Sequence, residues 1–296
     1  PEIIKISSTR DATNKKETFV FDVVDKYIAS SALGTTVTEA NNNKSKVHVF
    51  VDGEAADSVT KNYTSVTPLS AKINGTSKVV GYRYTLELTG FEKARTAINF
   101  NREYSDWSGN VTLEIDAGVA KDTANNFSVK TVFTGDFVDF IKPNATYQYA
   151  TADIDHTDKT FTMVFDVTDK FYSSGTLAIG DLTIKIDGKD VDWNKVSKNL
   201  TVADRQNTVK ITENGVVKSV TKTIGKRYTL ELSNLEQIQT RDTSGNYISY
   251  SGVVTVAIPG SKISDTGVDG KNTSPNKNDG TTITSGINIP GGSGTG

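Results

Sequence analysis

The chain has 296 residues, 33 basic and 35 acidic side chains, a formal net charge of -2 and 35% hydrophobic residues. It has no cysteine and two histidines, which excludes a disulfide framework, a thiol nucleophile, a thiolate metal site and a histidine-rich metal centre. The near-balanced charge does not favour a nucleic-acid partner, and no run approaches the roughly 20 apolar residues of a membrane helix.

The chain opens PEIIKI without an initiator methionine, as a mature or excised segment would. FVFDVV follows at 19 to 24, with Phe19, Phe21 and Val23 on one face and Asp22 on the other. That period of two is a strand with one wet side. DKYIASSAL, residues 25 to 33, has room for a helical turn, and the polar run TEANNNKSK, 38 to 46, reads as a surface loop. VHVFVDG, 47 to 53, places Val47, Val49 and Val51 inward and ends in an Asp52-Gly53 turn. Asn74-Gly75 marks a hairpin, because both residues accept positive φ. YRYTLEL, 82 to 88, and NVTLEI, 110 to 115, are two further half-buried strands. Trp107 stands in a loop between them, beside Tyr104.

The same blocks then return in the same order. MVFDVTDKF at 163 to 171 answers FVFDVVDKY at an offset of 144, LTIKIDG at 182 answers VHVFVDG at 135, KRYTLEL at 226 answers YRYTLEL at 144, and SGVVTVAI at 251 answers SGNVTLEI at 143. The drop to 135 locates about nine extra residues in the first copy, the polar run at 38 to 46. Asn214-Gly215 repeats the hairpin signal, and VDWNKVSKNL, 191 to 200, has room for one or two helical turns. Short strands with one apolar face must bury it against a second sheet. The expected architecture is all-β: two tandem immunoglobulin-like Greek-key β-sandwiches, residues 1–141 and 142–271. Residues 272–296 read as a flexible tail or the start of a truncated third repeat: KNTSPNKNDG and GGSGTG are turn and linker material, and TITSGINI between them alternates enough for a short strand.

AGVAKDTANNFSV, 117 to 129, resembles the closing-strand region of bacterial immunoglobulin-like repeats through Gly118, Val119, Asp122, Asn125 and Asn126. IPGSKISDTGVDGKN resembles it through Gly260, Ile263, Asp265, Gly267 and Gly270. Such repeats belong to cell-wall-anchored surface proteins, S-layer proteins and adhesins. The resemblance implies a non-catalytic structural or spacer segment at the bacterial cell surface, monomeric, next to further repeats of its parent protein. The alternative is an adhesin or carbohydrate-binding module with a host matrix protein or glycan as partner.

The candidate chemistry is sparse. Acidic residues near turns suit calcium, which takes six to eight oxygens. The clusters are Asp22 with Asp25, Asp166 with Asp169, Asp153 with Asp155 and Asp158, and Asp265 with Asp269. Asp is also an ordinary turn cap. Lys72 and Lys210, each in an extended run before a hairpin turn, are the candidates for an isopeptide crosslink. Tyr104 with Trp107, and Trp193, are the aromatic residues a sugar could stack on. No nucleophile elbow, phosphate-cradling glycine loop or HExxH is present, so no enzyme activity is expected.

Overall fold

A computed structural model describes residues 1–92, 107–153 and 159–292. Strands hold 61% of the chain and helix 6%, which makes it all-β, built from several antiparallel sheets in a sandwich-like arrangement. The chain divides into two compact units. The first comprises residues 1–141, 208–220 and 267–274, and the second residues 142–207, 221–266 and 275–296.

The strands of the first copy are β1 (Glu2–Asp11), β2 (Lys16–Val24), β3 (Ile28–Ser31), β4 (Val47–Val51), β5 (Glu54–Ala55), β6 (Thr60–Ile73), β7 (Thr76–Thr89), β8 (Gly109–Ile115), β9 (Ala120–Asp122) and β10 (Thr131–Val138). One sheet runs β1-β2-β7-β6, a second runs β10-β8-β4-β5, and β3 pairs with β9. The inward residues of both larger sheets form one core, with Phe19, Phe21, Tyr84 and Leu86 from the first and Val47, Val49, Val111 and Leu113 from the second. Phe21 stacks on Tyr84 with centroids 5.3 Å apart and reaches Phe133 of the other sheet at 6.0 Å. Fully burying side chains of this size stabilises by about 1.5–3 kcal/mol each before conformational entropy is counted.

The second copy supplies β11 (Asn144–Asp153), β12 (Thr160–Thr168), β13 (Tyr172–Gly175), β14 (Thr183–Ile186), β15 (Lys189–Asp190), β16 (Ser197–Glu213), β17 (Val216–Ser233), β18 (Tyr250–Ile258), β19 (Ile263–Asp265) and β20 (Thr281–Ile289). Its sheets run β11-β12-β17-β16 and β15-β14-β18-β20, with β13 on β19. The interlocks return position by position. Phe165 stacks on Tyr228 at 5.1 Å, as Phe21 does on Tyr84. Gly225 and Gly81 each lie so close to the paired strand, β12 or β2, that a Cβ would collide with the carbonyl oxygen of Val167 or Val23.

Three expectations about local structure change. The short strand expected in TITSGINI forms as β20, but it belongs to the second copy rather than to a tail or truncated repeat, pairing with β18 from Tyr250↔Ile289 to Ile258↔Thr281. The alternation in TITSGINI had an apolar face to bury, and Ile283, Ile287 and Ile289 join the second core. The polar run at 38 to 46 is not an irregular loop but α1 (Val37–Asn42) followed by a 3-10 turn at Lys44–Lys46. Its start is written in Thr36-x-x-Glu39: the Thr36 side chain accepts from the Glu39 N–H at 3.3 Å. The helical turns expected at 25 to 33 and 191 to 200 are instead tight turns leading into β3 and β16. Both segments are shorter than a stable helix needs, and strand pairing prevails over them.

The hairpin signals hold. Asn74 and Gly75 have φ of 49° and 81°, Asn214 and Gly215 have 51° and 76°, and Asp52 with Gly53 and Asp187 with Gly188 repeat the pattern. These are the two-residue turns whose twist matches that of the flanking strands.

Candidate functional site

Asp22 and Asp166 are not free oxygen donors. In-register pairing sets Asp22 of β2 opposite Arg83 of β7, and Asp166 of β12 opposite Arg227 of β17. Arg83 donates Nε and Nη2 to the two Asp22 oxygens at 2.7 and 2.9 Å, and Arg227 does the same to Asp166 at 2.7 and 2.8 Å. Arg205 adds a further contact to Asp166 at 3.3 Å. A bidentate fork occupies both oxygens of a carboxylate, so these symmetric acids tie neighbouring strands rather than a calcium ion. The hydrogen bonds to Asp22 and Asp166 hold both guanidinium groups above the usual arginine pKa.

Asp25 and Asp169, the other halves of those sequence pairs, cap turns. Asp25 Oδ1 accepts the Tyr27 N–H at 2.7 Å, and Asp169 Oδ1 accepts the Phe171 N–H at 2.6 Å. Asp25 also lines a groove of about 530 Å³ in the first unit, together with Lys26 and Lys72. Asp153 is described only along its backbone, and Asp155 and Asp158 lie outside the described residues.

The fold makes an acidic pair that adjacency in sequence does not show. Pairing of β13 with β19 sets Tyr172 opposite Asp265. Within the second unit this brings carboxylate oxygens of Asp169 and Asp265 within 4.8 Å of each other, both side chains buried. Asp265 accepts the Asn276 N–H at 2.8 Å and its Nδ2 at 2.9 Å, closing the loop from 266 to 275. Asp269, its neighbour in sequence, instead accepts from Lys271 N at 2.9 Å and Thr273 Oγ1 at 2.6 Å. Asp122 closes the shorter loop of the first copy, accepting from Ala124 N, Asn126 N and Asn126 Nδ2 at 2.8, 2.9 and 2.7 Å. Those bonds, the Asn126 side chain first, hold its carboxyl below the usual range.

The crosslink candidates are out of place. Lys72 is exposed on β6 opposite Ser77. Lys210 is exposed and pairs with Glu54 at 3.5 Å in the first unit. An isopeptide needs a lysine held in an apolar core against an amide or acid side chain, and edge-exposed residues beside a turn lack that enclosure. The two are also not equivalent, lying two and four residues before the Asn of their turns. Two lysines are buried among the described residues, Lys170 at 9% and Lys159 at 8% exposed. Lys159 precedes β12. Its Nζ donates to Gln239 Oε1 at 2.6 Å and to the Pro290 carbonyl at 2.8 Å, with the Tyr247 ring at 5.1 Å. It pins the chain before β12 to the chain after β20. Its counterpart in the first copy, Lys15, is exposed, so the repeat gave no signal for it.

Trp107 turns inward: it is 6% exposed and its Nε1 donates to Ser58 Oγ at 2.6 Å, so it presents no face to a sugar. Tyr104 lies outside the described residues. Trp193 is 37% exposed, with the Lys198 ammonium 4.2 Å from its ring centroid.

Glu17 carries no signal in the sequence. It sits on β2 between Arg10 of β1 and Leu88 of β7, and it is fully buried. The repeat places buried Phe161 at the same position of the second copy. The reason lies across the sandwich. β10 carries a bulge between Thr134 and Phe137 against β8, whereas β20 pairs with β18 without a shift. A bulge frees a backbone N–H from its ladder, and Glu17 Oε1 accepts the Asp136 N–H at 2.9 Å. Glu17 Oε2 makes no hydrogen bond. Burial pushes the carboxyl up to about 7, with Asp136 adding to the shift and its own N–H, Arg10 and Lys5 opposing it.

The chain matches no protein-family model and no curated protein.

Proposed function

We propose that the chain is a pair of non-catalytic structural repeats, immunoglobulin-like and Greek-key in connection, from an extracellular bacterial surface protein, where they project or support an adhesive region. The observation that carries this reading is the duplication of cross-strand fasteners. Each copy has the same aromatic stack, the same bidentate Asp–Arg pair across the two inner strands of its sheet, and the same glycine under a neighbouring carbonyl. A module repeated with its fasteners intact adds reach without adding a new site. Neighbouring repeats of the parent protein are its natural contacts. Among the described residues no helix is long and apolar enough to cross a membrane.

Pulling single molecules of the chain from both ends tests the mechanical part: two unfolding steps of similar contour length support it, and one low-force, gradual extension overturns it. A panel of glycans and matrix proteins tests the rest. Robust binding by the isolated chain would favour the second reading, an adhesive module, for which Trp193 is the exposed tryptophan among the described residues.

Calcium enters the proposal at Asp169 and Asp265. Two buried carboxylates within 4.8 Å repel, and a hard cation between them removes that repulsion. Further oxygens from backbone or water would complete the shell, since two carboxylates offer four at most.

A further inference from the structure

The two copies treat their edge strands differently. In the first unit β6 closes its sheet, and α1 lies along it. Asn41 of α1 donates Nδ2 to the Tyr63 carbonyl and accepts the Tyr63 N–H with Oδ1, both at 2.9 Å. One side-chain amide thereby takes the place of a neighbouring strand. Pro68 interrupts the same strand and removes a donor.

In the second unit β16 closes the corresponding sheet. KNLT at 198 to 201 answers KNYT at 61 to 64, so Leu200 stands where Tyr63 does. The nine-residue insertion that builds α1 is missing, and β16 has no proline. Among the described residues nothing does for Leu200 what Asn41 does for Tyr63. Residues 199 and 201 to 204 are exposed, with Val202 at 39%.

We propose that the outer edge of β16, residues 198 to 204, is a pairing site for β16 of a second copy of this chain, joined as an antiparallel two-fold ladder centred on Thr201. The sequence of the edge is self-complementary in that register. Strand alternation puts Lys198, Leu200, Val202 and Asp204 on one face. A two-fold through Thr201 sets Leu200 against the second copy's Val202 and Lys198 against the second copy's Asp204, each twice. Leu200 corresponds to Tyr63, whose N–H and C=O face outward to Asn41, so in this register the N–H and C=O groups of Leu200 and Val202 exchange hydrogen bonds with the second copy. Apolar and opposite-charge cross-strand pairs both favour a ladder, and like charges oppose it. Asp204 keeps 51% of its side chain exposed while it contacts Lys226, and Lys198 lies over Trp193, so both are held at the edge. The ladder is short, and the pairing is correspondingly weak and reversible, a departure from the monomer expected of the sequence.

Sedimentation velocity over a concentration series of the full chain tests this with two variants, Lys198→Glu and Asp204→Lys. Wild type should show a reversible monomer–dimer equilibrium. Each variant alone should dimerise at least about tenfold more weakly, because like charges then face each other at both ends. An equimolar mixture of the two variants should recover wild-type dimerisation. In the mixed dimer the two introduced side chains, a glutamate and a lysine, meet at one end, and the native Asp204 and Lys198 meet at the other. Melting curves matching wild type show that the variants are folded. A wild-type chain that stays monomeric at the highest concentration, or variants that dimerise as tightly as wild type, would overturn the proposal.

Discussion

The carboxyl oxygen Oε1 of Glu17 accepts the backbone N–H of Asp136 at 2.9 Å, from one sheet of the first unit to the bulged strand of the other. The bond satisfies a donor that the bulge removed from the ladder, but it places an ionisable group where the second copy has a phenylalanine.

The pH dependence follows from the sign of its shift. Glu17 is raised from 4.5 to about 7 in the fold, so the unfolded chain ionises first as pH rises. Glu17's contribution to the stability of the first unit is therefore fully present below about 4.5 and is lost as pH climbs to 7. One pKa unit is about 1.4 kcal/mol, so the loss is about 3 kcal/mol. Glu17→Gln, which keeps an acceptor for Asp136 without the charge, should flatten this slope and raise stability at pH 7.5. Urea melts at pH 5 and 7.5 measure both, and equal slopes in wild type and variant would remove Glu17 as the cause.

Gly225 has a φ of 145° and no room for a Cβ beneath the Val167 carbonyl. Gly225→Ala should destabilise the second unit by about 3 kcal/mol or more, since both backbone strain and a steric clash are introduced. The first unit should keep its transition in a calorimetric scan of the same variant.

Tyr84 contributes more than its ring. Its hydroxyl donates to the Gly34 carbonyl at 2.6 Å and lies 2.7 Å from Ser31 Oγ, which ties the strand to the turn before α1. Burial pushes this hydroxyl up to about 12, so it remains protonated across the physiological range. Tyr84→Phe leaves the stack on Phe21 intact and should cost about 1–2 kcal/mol, read from chemical denaturation.

Calcium should raise the melting temperature of wild type and a chelator should return it. A ligand that binds the folded form at a hundred times its dissociation constant adds about 2.7 kcal/mol. Asp169→Asn should lose this response. Identical wild-type curves in saturating calcium and in chelator would remove calcium from the proposal.

Alternating residues and two-residue Asn-Gly and Asp-Gly turns were readable in the sequence because they act locally: side-chain direction has a period of two, and positive φ belongs to few residues. The duplication was readable because related copies bury the same positions, as Phe19/Met163 and Tyr84/Tyr228 do. What the sequence left open depends on residues far apart in the chain. Whether Asp22 held a cation or a guanidinium was decided by the register of β2 on β7, and Asp169 met Asp265 only through the pairing of β13 with β19. TITSGINI joined the second copy because β18 had an open side to offer it. Glu17, read alone, is one more charged residue in an alternating strand. Only the facing sheet, with its bulge at Asp136, supplies the backbone donor that gives a buried carboxyl a place there.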